Sequence, residues 1–143
     1  GPVTVEVTTY RADAYDGVTR KPVVAFGDNL TDDLLRRDFT VNAMALRLPD
    51  LSFADPHGGL ADLGARVLDT PTVPEVSFGD DPLRMMRGAR FAAQLGFGLS
   101  DRVREAMSDR AETIGIVSAE RVRDEIVKLV LADRPRAGLE VLV

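Results

Sequence analysis

The feature that most constrains this chain is one segment, Pro82–Gly96 (PLRMMRGARFAAQLG), in which apolar residues surround a few arginines. Asp80 or Asp81 can cap a helix here, with Pro82 in its first turn. Gly96 is a typical C-terminal stop for such a helix. A helix that is apolar on most of its surface is generally buried. The sequence therefore predicts a buried helix that ends just before Gly96.

The charged residues of this segment are arginines, namely Arg84, Arg87 and Arg90. At about 100° per residue they fall within an arc of roughly 120°. A buried arginine is costly unless an anion or an acceptor meets it, so the arc favours a phosphate or base site. We expect Asp81, one turn before Arg84, to hold the Arg84 guanidinium and present a planar edge to a base. The alternative is an ion pair within the helix, with the arginines extending into solvent.

A second polar cluster lies in the segment RRDFTVNAMA at 36–45, between a predicted helix and a predicted strand. Arginine binds phosphate well, and aspartate accepts hydrogen bonds from sugar hydroxyls. The alternative is a helix C-terminus at which Arg37 complements the helix dipole and Asp38 caps a turn. The spacing alone favours this structural interpretation.

The two halves of the chain differ in their predicted secondary structure. In the first half we predict strands over Val3–Tyr10, Ala43–Leu48 and Ala65–Thr70. We also predict one short helix over Asp32–Arg37, capped by Thr31. In the second half, after the helix that ends at Gly96, helices are predicted to open at Ser100, Ser118 and Pro135. The pattern predicts an α+β fold in which the change falls near Thr70–Phe78.

Composition narrows the class of protein. A net charge of −5 argues against a strongly basic protein that coats nucleic acid, although local patches matter more than totals. The absence of cysteine excludes disulfides and thiolate metal sites. No apolar run reaches the roughly 18 residues of a membrane span, so a cytoplasmic location is the expectation.

Several ordered segments resemble a known family. They are RRDFTVNAMA (36–45), DPHGGLADL (55–63), DDPLRMMRGARFAAQLGF (80–97) and SAERVRDEIVKLV (118–130). Together they closely resemble the bacterial CCA-adding enzyme and poly(A) polymerase family of nucleotidyltransferases, over nearly the whole chain. Ordered motifs of this length are far more specific than one short pattern. The NAMA ending of the first segment resembles CCA-adding members more than poly(A) polymerases.

The resemblance implies a parent enzyme that adds CMP and AMP, from CTP and ATP, to tRNA 3′ ends without a nucleic-acid template. Two alternatives stay open: a poly(A)-, A- or C-adding polymerase of the same family, and a non-catalytic module that binds nucleotide or RNA. The implied architecture is the C-terminal part of a nucleotidyltransferase head, with a mixed β-sheet and helices, followed by an all-helical neck. The expected boundaries are 1–70 for the head and 71–143 for the neck, with the neck truncated at its C-terminus.

The resemblance assigns the ends of a nucleotide to two clusters. Arg37 matches the family position that contacts the triphosphate, and Asp38 and Asn42 match positions at the sugar. In the second cluster, Asp81 and Arg84 match the pair that reads the Watson–Crick edges of CTP and ATP.

Further matches lie beside this base-reading pair. Arg87 and Arg90 match other family arginines near the nucleotide, whereas Asp80 replaces the glutamate of the family motif. Glu120 and Arg121 match a motif that supports the template helix.

Some family carboxylates have no match in this chain. The glycine-rich turn and the Asp-x-Asp pair that holds Mg²⁺ ions in the family are both missing, so no catalytic residue is assigned. The chain is therefore expected to be a fragment that is inactive alone. Glu6, between two valines, matches the third, supporting carboxylate of the superfamily and is the candidate metal ligand. The alternative is an exposed strand glutamate. His57 replaces a usual aromatic residue and is interpreted as structural.

Overall fold

The computed structural model of this protein describes residues 3–14, 23–26 and 29–143, with side chains described for 3–10 and 29–143. Its first elements are two antiparallel strands, β1 (Arg11–Ala14) and β2 (Val23–Phe26). Arg11 pairs with Phe26 at one end of this ladder, and Ala14 pairs with Val23 at the other.

The prediction of a strand over Val3–Tyr10 is wrong. This segment pairs with no other described strand, and Val3, Val5 and Val7 are 86%, 74% and 88% exposed. Alternating β-branched residues favour an extended backbone, but a strand also needs a neighbour to satisfy its amide and carbonyl groups. The segment therefore has the conformational preference of a strand but no pairing partner among the described residues.

The rest of the first half consists of short elements. They are α1 (Leu30–Leu35), a 3₁₀ turn (Thr40–Asn42), β3 (Ala45–Leu46), β4 (Phe53–Ala54), α2 (Gly59–Ala65) and β5 (Val67–Leu68). Strands β3 and β4 pair antiparallel. The strand predicted over Ala43–Leu48 is shorter than expected because the Ala43 amide still donates to the Thr40 carbonyl, which continues the 3₁₀ turn.

The cap of α1 differs from its prediction. Asn29 is the N-cap, and its side-chain oxygen accepts from the Thr31 amide at 2.9 Å. The predicted cap at Thr31 is therefore wrong by two positions. Both residue types favour N-caps, so the sequence offered two competing starts.

The second half is helical, as predicted. Its elements are α3 (Pro74–Asp80), α4 (Leu83–Leu95), β6 (Gly98–Leu99), α5 (Asp101–Arg110), a 3₁₀ helix (Ala111–Ile116), α6 (Ala119–Val130) and α7 (Pro135–Val141). Ser100 and Ser118 cap α5 and α6, and Gly96 ends α4 with a φ of 68°. Helix α3 was not predicted, since the sequence pattern indicated only a change of structure type near Thr70–Phe78.

Helix α4 lies at the centre of the molecule, as its apolar surface predicted. It contributes Met85 to a buried cluster that also contains Phe39, Leu68, Phe78, Leu99, Val103, Ala106 and Met107. These residues come from both halves of the chain. In addition, β5 pairs parallel with β6, in register at Leu68 and Leu99, so the end of the first half is hydrogen-bonded to the turn after α4.

Helix α7 packs against α4 at short range. A Cβ added to Gly138 would lie 2.5 Å from the Ala89 carbonyl oxygen, so only glycine allows this approach. The observed arrangement confirms the α+β class. Within residues 3–14, 23–26 and 29–143, no helix has both the length and the apolar character that a membrane crossing requires.

Candidate nucleotide-binding site

An open polar cavity of about 740 Å³ lies between the end of α1 and the start of α4. Its lining residues are Arg36, Arg37, Asp38, Asn42, Asp81, Leu83, Arg84, Arg87, Phe91 and Arg121. The arginines in this set outnumber the carboxylates, which suits an anionic ligand. The cavity therefore brings together both predicted clusters, and Arg90 is the predicted nucleotide-binding residue that it leaves out.

Asp38 lies buried on the wall of the cavity that follows α1. One of its oxygens accepts from the Phe39 amide at 2.8 Å and from Asn42 Nδ2 at 3.0 Å. The other accepts from Arg87, at 2.8 Å from Nε and 2.6 Å from Nη2. A carboxylate has about four acceptor positions, so the protein itself occupies those of Asp38.

These contacts also set the charge state of Asp38. Burial alone would raise the pKa of its carboxyl, but the Asn42 hydrogen bond, the Arg87 charge and the Phe39 amide outweigh burial and lower the pKa below 3.8. Asp38 is therefore a carboxylate at neutral pH. It orients Arg87, whose side chain remains 37% exposed to the cavity.

Arg37 lies at the mouth of the cavity and is half exposed. Its Nη1 donates to the Asn42 carbonyl at 3.3 Å, and its Nη2 donates to Asp33, one helical turn earlier, at 3.3 Å. These contacts use only part of the guanidinium, which carries five N–H groups. Arg37 thus keeps donors for a further anion.

Arg84 is fixed by partners that lie outside α4. Its Nη1 donates to the Ser77 hydroxyl at 2.8 Å and to the Ser77 carbonyl at 3.2 Å. Its Nη2 donates to the Arg36 carbonyl at 2.6 Å. These contacts use three of the five N–H groups of a guanidinium and leave two for a ligand.

Asp81 does not hold Arg84, and that prediction is wrong. One Asp81 oxygen accepts from the Leu83 amide, the first of α4, at 3.1 Å, and the other accepts from Arg121 Nη2 at 3.0 Å. Asp81 lies between α3 and α4 in an extended conformation, so its side chain turns towards α6 instead of along the helix. The carboxylate still lines the cavity and retains acceptor positions.

Arg90 lies away from the cavity. Its Nε donates to Glu125 of α6 at 2.5 Å, its Nη1 donates to Gln94 at 2.6 Å, and its guanidinium lies 4.0 Å from the centre of the Phe91 ring. Arg90 is 11% exposed and Glu125 is 6% exposed. The observed contacts give Arg90 a role in packing, and its nucleotide-binding role stays a prediction without geometric support.

The remaining candidates lie outside the cavity lining. Glu6 is exposed in the extended segment, and His57 is half buried in the turn before α2. Asp80 is exposed at the end of α3. Among the described residues, no group of three or more His, Cys, Asp or Glu side chains gathers where it could hold a metal ion.

Sequence reasoning missed Ser77 and the Arg36 carbonyl, which fix Arg84. Ser77 belongs to the unpredicted helix α3, seven positions before Arg84, and a backbone carbonyl has no signal in the side-chain pattern. Arg121 was noted only as support for the template helix, whereas the structure places its guanidinium on Asp81 inside the cavity.

Comparisons with known proteins identify similar sequences and structures. Residues 1–69 match the family described as "Poly A polymerase head domain", and residues 96–143 match "Probable RNA and SrmB- binding site of polymerase A". A CCA-adding enzyme from Lactobacillus delbrueckii subsp. bulgaricus is 41% identical over 98% of this chain, and one from Streptococcus thermophilus is 43% identical over 96%.

Solved structures give the same family. The CCA-adding enzyme of Bacillus stearothermophilus in complex with CTP superposes with a TM-score of 0.85 and 34% identity, over 94% of this chain and 32% of that one. A CCA-adding enzyme with ATP gives a TM-score of 0.69 and 31% identity, over 76% of this chain and 26% of that one.

The chain covers 35% and 34% of the two curated relatives, so it spans about a third of their length. The region of a nucleotidyltransferase that it corresponds to is the later part of the head followed by the helical neck. The chain belongs to the poly(A) polymerase and CCA-adding enzyme family of nucleotidyltransferases.

Proposed function

We propose that this chain supplies the nucleotide-selecting part of a CCA tRNA nucleotidyltransferase. In this proposal the whole enzyme adds CMP and AMP, from CTP and ATP, to tRNA 3′ ends without a nucleic-acid template. The observation that carries it is the position of Asp81 and Arg84 on one cavity wall, each fixed by a partner and each with hydrogen-bonding capacity left. A protein edge of this kind can take the place of a template base.

The chemistry of the four bases explains why such an edge selects two of them. On their Watson–Crick edges, cytosine and adenine place an amino donor beside a ring nitrogen acceptor, whereas uracil and guanine place a carbonyl beside an N–H. Asp81 can accept from the amino group while Arg84 donates to the ring nitrogen. For UTP or GTP both contacts become repulsive, because acceptor faces acceptor and donor faces donor.

The other end of the nucleotide is assigned to a second wall, formed by the segment after α1 together with Arg87 of α4. In the proposal, Arg37 and Arg87 meet the phosphates, and Asn42 lies at the ribose. Arg37 and Arg87 are 49% and 37% exposed, so both present charge to the cavity. Asp38 belongs to this wall as well, but its acceptor positions already receive donors from Phe39, Asn42 and Arg87. A ribose hydroxyl can reach Asp38 only after Arg87 moves.

Cofactor and partners follow from the proposed activity of the whole enzyme. Transfer of a nucleotide to an RNA 3′ hydroxyl in this family is assisted by Mg²⁺, which enters the proposal only as a cofactor of the whole enzyme. The tRNA 3′ end is the proposed macromolecular partner, and a cytoplasmic location goes with that substrate.

Calorimetric titration of the chain with CTP, ATP, GTP and UTP tests the proposal. We expect CTP and ATP to bind more tightly than the other two, by about tenfold for one well-formed pair of contacts. Equal affinity for all four nucleotides would contradict the proposal. Binding of ATP without CTP would replace it with an A-adding polymerase.

A further inference from the structure

Ser77 occupies an unusual place beside the base-reading pair. It lies in the middle of α3, is 1% exposed, and directs both its hydroxyl and its carbonyl oxygen at the Arg84 guanidinium. We propose that Ser77 is a positioning residue that sets the base preference of the cavity. The inference rests on the proposed function and concerns how the selectivity of Arg84 arises.

The contacts of Arg84 leave it little freedom to rotate. Both Nη1 bonds go to Ser77, at 2.8 Å and 3.2 Å, and the Nη2 bond goes to the Arg36 carbonyl at 2.6 Å. An arginine side chain otherwise populates many rotamers, and ordering it when a ligand binds costs conformational entropy. Because Ser77 orders the guanidinium beforehand, the free N–H groups present one fixed edge.

Ser77 also reaches the second member of the pair. Its carbonyl accepts from the Asp81 amide at 3.3 Å as well as from Arg84. The two residues that read the base therefore share one reference point on α3. A shift of Ser77 changes the distance between the donor edge of Arg84 and the acceptor of Asp81.

The side-chain and backbone contacts of Ser77 separate cleanly on substitution. Ser77→Ala removes the hydroxyl and keeps the carbonyl, so Arg84 retains its charge and two of its bonds but can turn about them. The attraction of the cavity for phosphate depends on the arginine charges and persists. Discrimination between a ring nitrogen acceptor and an N–H depends on the direction of the donors and weakens.

The test measures CTP and UTP affinities of this chain and of Ser77→Ala by calorimetry. We expect the CTP-to-UTP affinity ratio to fall by about tenfold, as for loss of a hydrogen bond to a charged group, with little change in UTP affinity. Ser77→Cys, which fills the same space with a weak acceptor, should give a similar fall. Thr70→Val is the matched control, since the buried Thr70 hydroxyl donates only to the Thr72 carbonyl, and it should leave the ratio unchanged.

The outcomes separate this inference from the function on which it rests. A wild-type preference for CTP that persists in Ser77→Ala and Ser77→Cys overturns the inference and leaves the proposed function standing. A wild-type chain without any preference overturns both. An equal fall in the Thr70→Val control also overturns the inference, because loss of any buried hydroxyl would then be sufficient.

Discussion

Two arginines of α4 have different roles. Near the start of the helix, Arg84 faces the cavity and keeps donors for a ligand, whereas Arg90, nearer the middle, lies against Glu125 with its charge buried. Residues three apart on a helix are displaced by about 60°, so a spacing of three carries successive side chains around the helix. An arc of arginines on one helix can therefore border two environments. What decides the role of each is the element that packs opposite.

The burial of the two arginines follows from those neighbours. Opposite Arg84 lie the end of α1 and the open cavity, and opposite Arg90 lies α6 with a carboxylate at the matching height. A buried charge must be paired inside the protein, whereas a charge at a cavity wall is solvated and can pair with a ligand when one binds. Arg90 therefore contributes to the stability of the fold, whereas Arg84 is available to bind a ligand in the cavity.

The largest expected effect tests the buried ion pair between Arg90 and Glu125. Arg90→Met should lower the free energy of unfolding by about 3 kcal/mol, because it leaves the buried Glu125 without its main partner. Urea unfolding at neutral pH measures the change. Arg136→Met is the control, since Arg136 pairs with Glu140 while 92% exposed, and it should leave the stability unchanged. Equal losses of stability in both variants would contradict the claim that burial of the Arg90–Glu125 pair makes Arg90 structurally important.

The sequence predicted α4 almost completely, together with its terminal Gly96 and the serine caps of α5 and α6. These features depend on local chemistry: an apolar surface, a capping hydroxyl and a glycine with positive φ. It did not predict which arginine meets which carboxylate, because that depends on the packing angle of α3 and α6. Asp81 illustrates the limit, since local spacing suggested Arg84 while the fold supplies Arg121.

The first half was harder to predict for a related reason. The valines around Glu6 have strong strand preference, yet no described strand lies beside them. Strand formation depends on a partner that is often distant in sequence, whereas a helix satisfies its own backbone. In the segment 36–45, Arg36, Arg37, Asp38 and Asn42 line the cavity. Their nucleotide contacts stay a prediction from family resemblance, since the pattern alone favoured a helix end.

The next largest effect concerns Asp38 and its partner Arg87, which lies between Arg84 and Arg90 on α4. Asp38→Asn should lower the free energy of unfolding at pH 7 by about 2 kcal/mol, since a hydrogen-bonded carboxylate is lost. Because the folded pKa of Asp38 is lowered below 3.8, its contribution is complete at pH values above 3.8 and is lost as the pH falls through the folded pKa.

The pH dependence of unfolding checks this assignment. As the pH falls below 3.8, wild-type stability should fall more steeply than that of Asp38→Asn. The exposed Asp124→Asn is the control and should follow the wild type. Parallel curves for the wild type and Asp38→Asn would show that Asp38 is not held as a charged partner of Arg87.

The central claim is that Arg84 selects the base and Arg90 stabilises the fold. The CTP-to-UTP affinity ratio of two matched variants, Arg84→Lys and Arg90→Lys, tests it most directly. Lysine keeps the charge but loses the planar fork that can donate two parallel hydrogen bonds. The account predicts that Arg84→Lys loses the preference for CTP, by about tenfold, while Arg90→Lys keeps it. A preference that survives in Arg84→Lys, or that is lost in Arg90→Lys, would contradict the account.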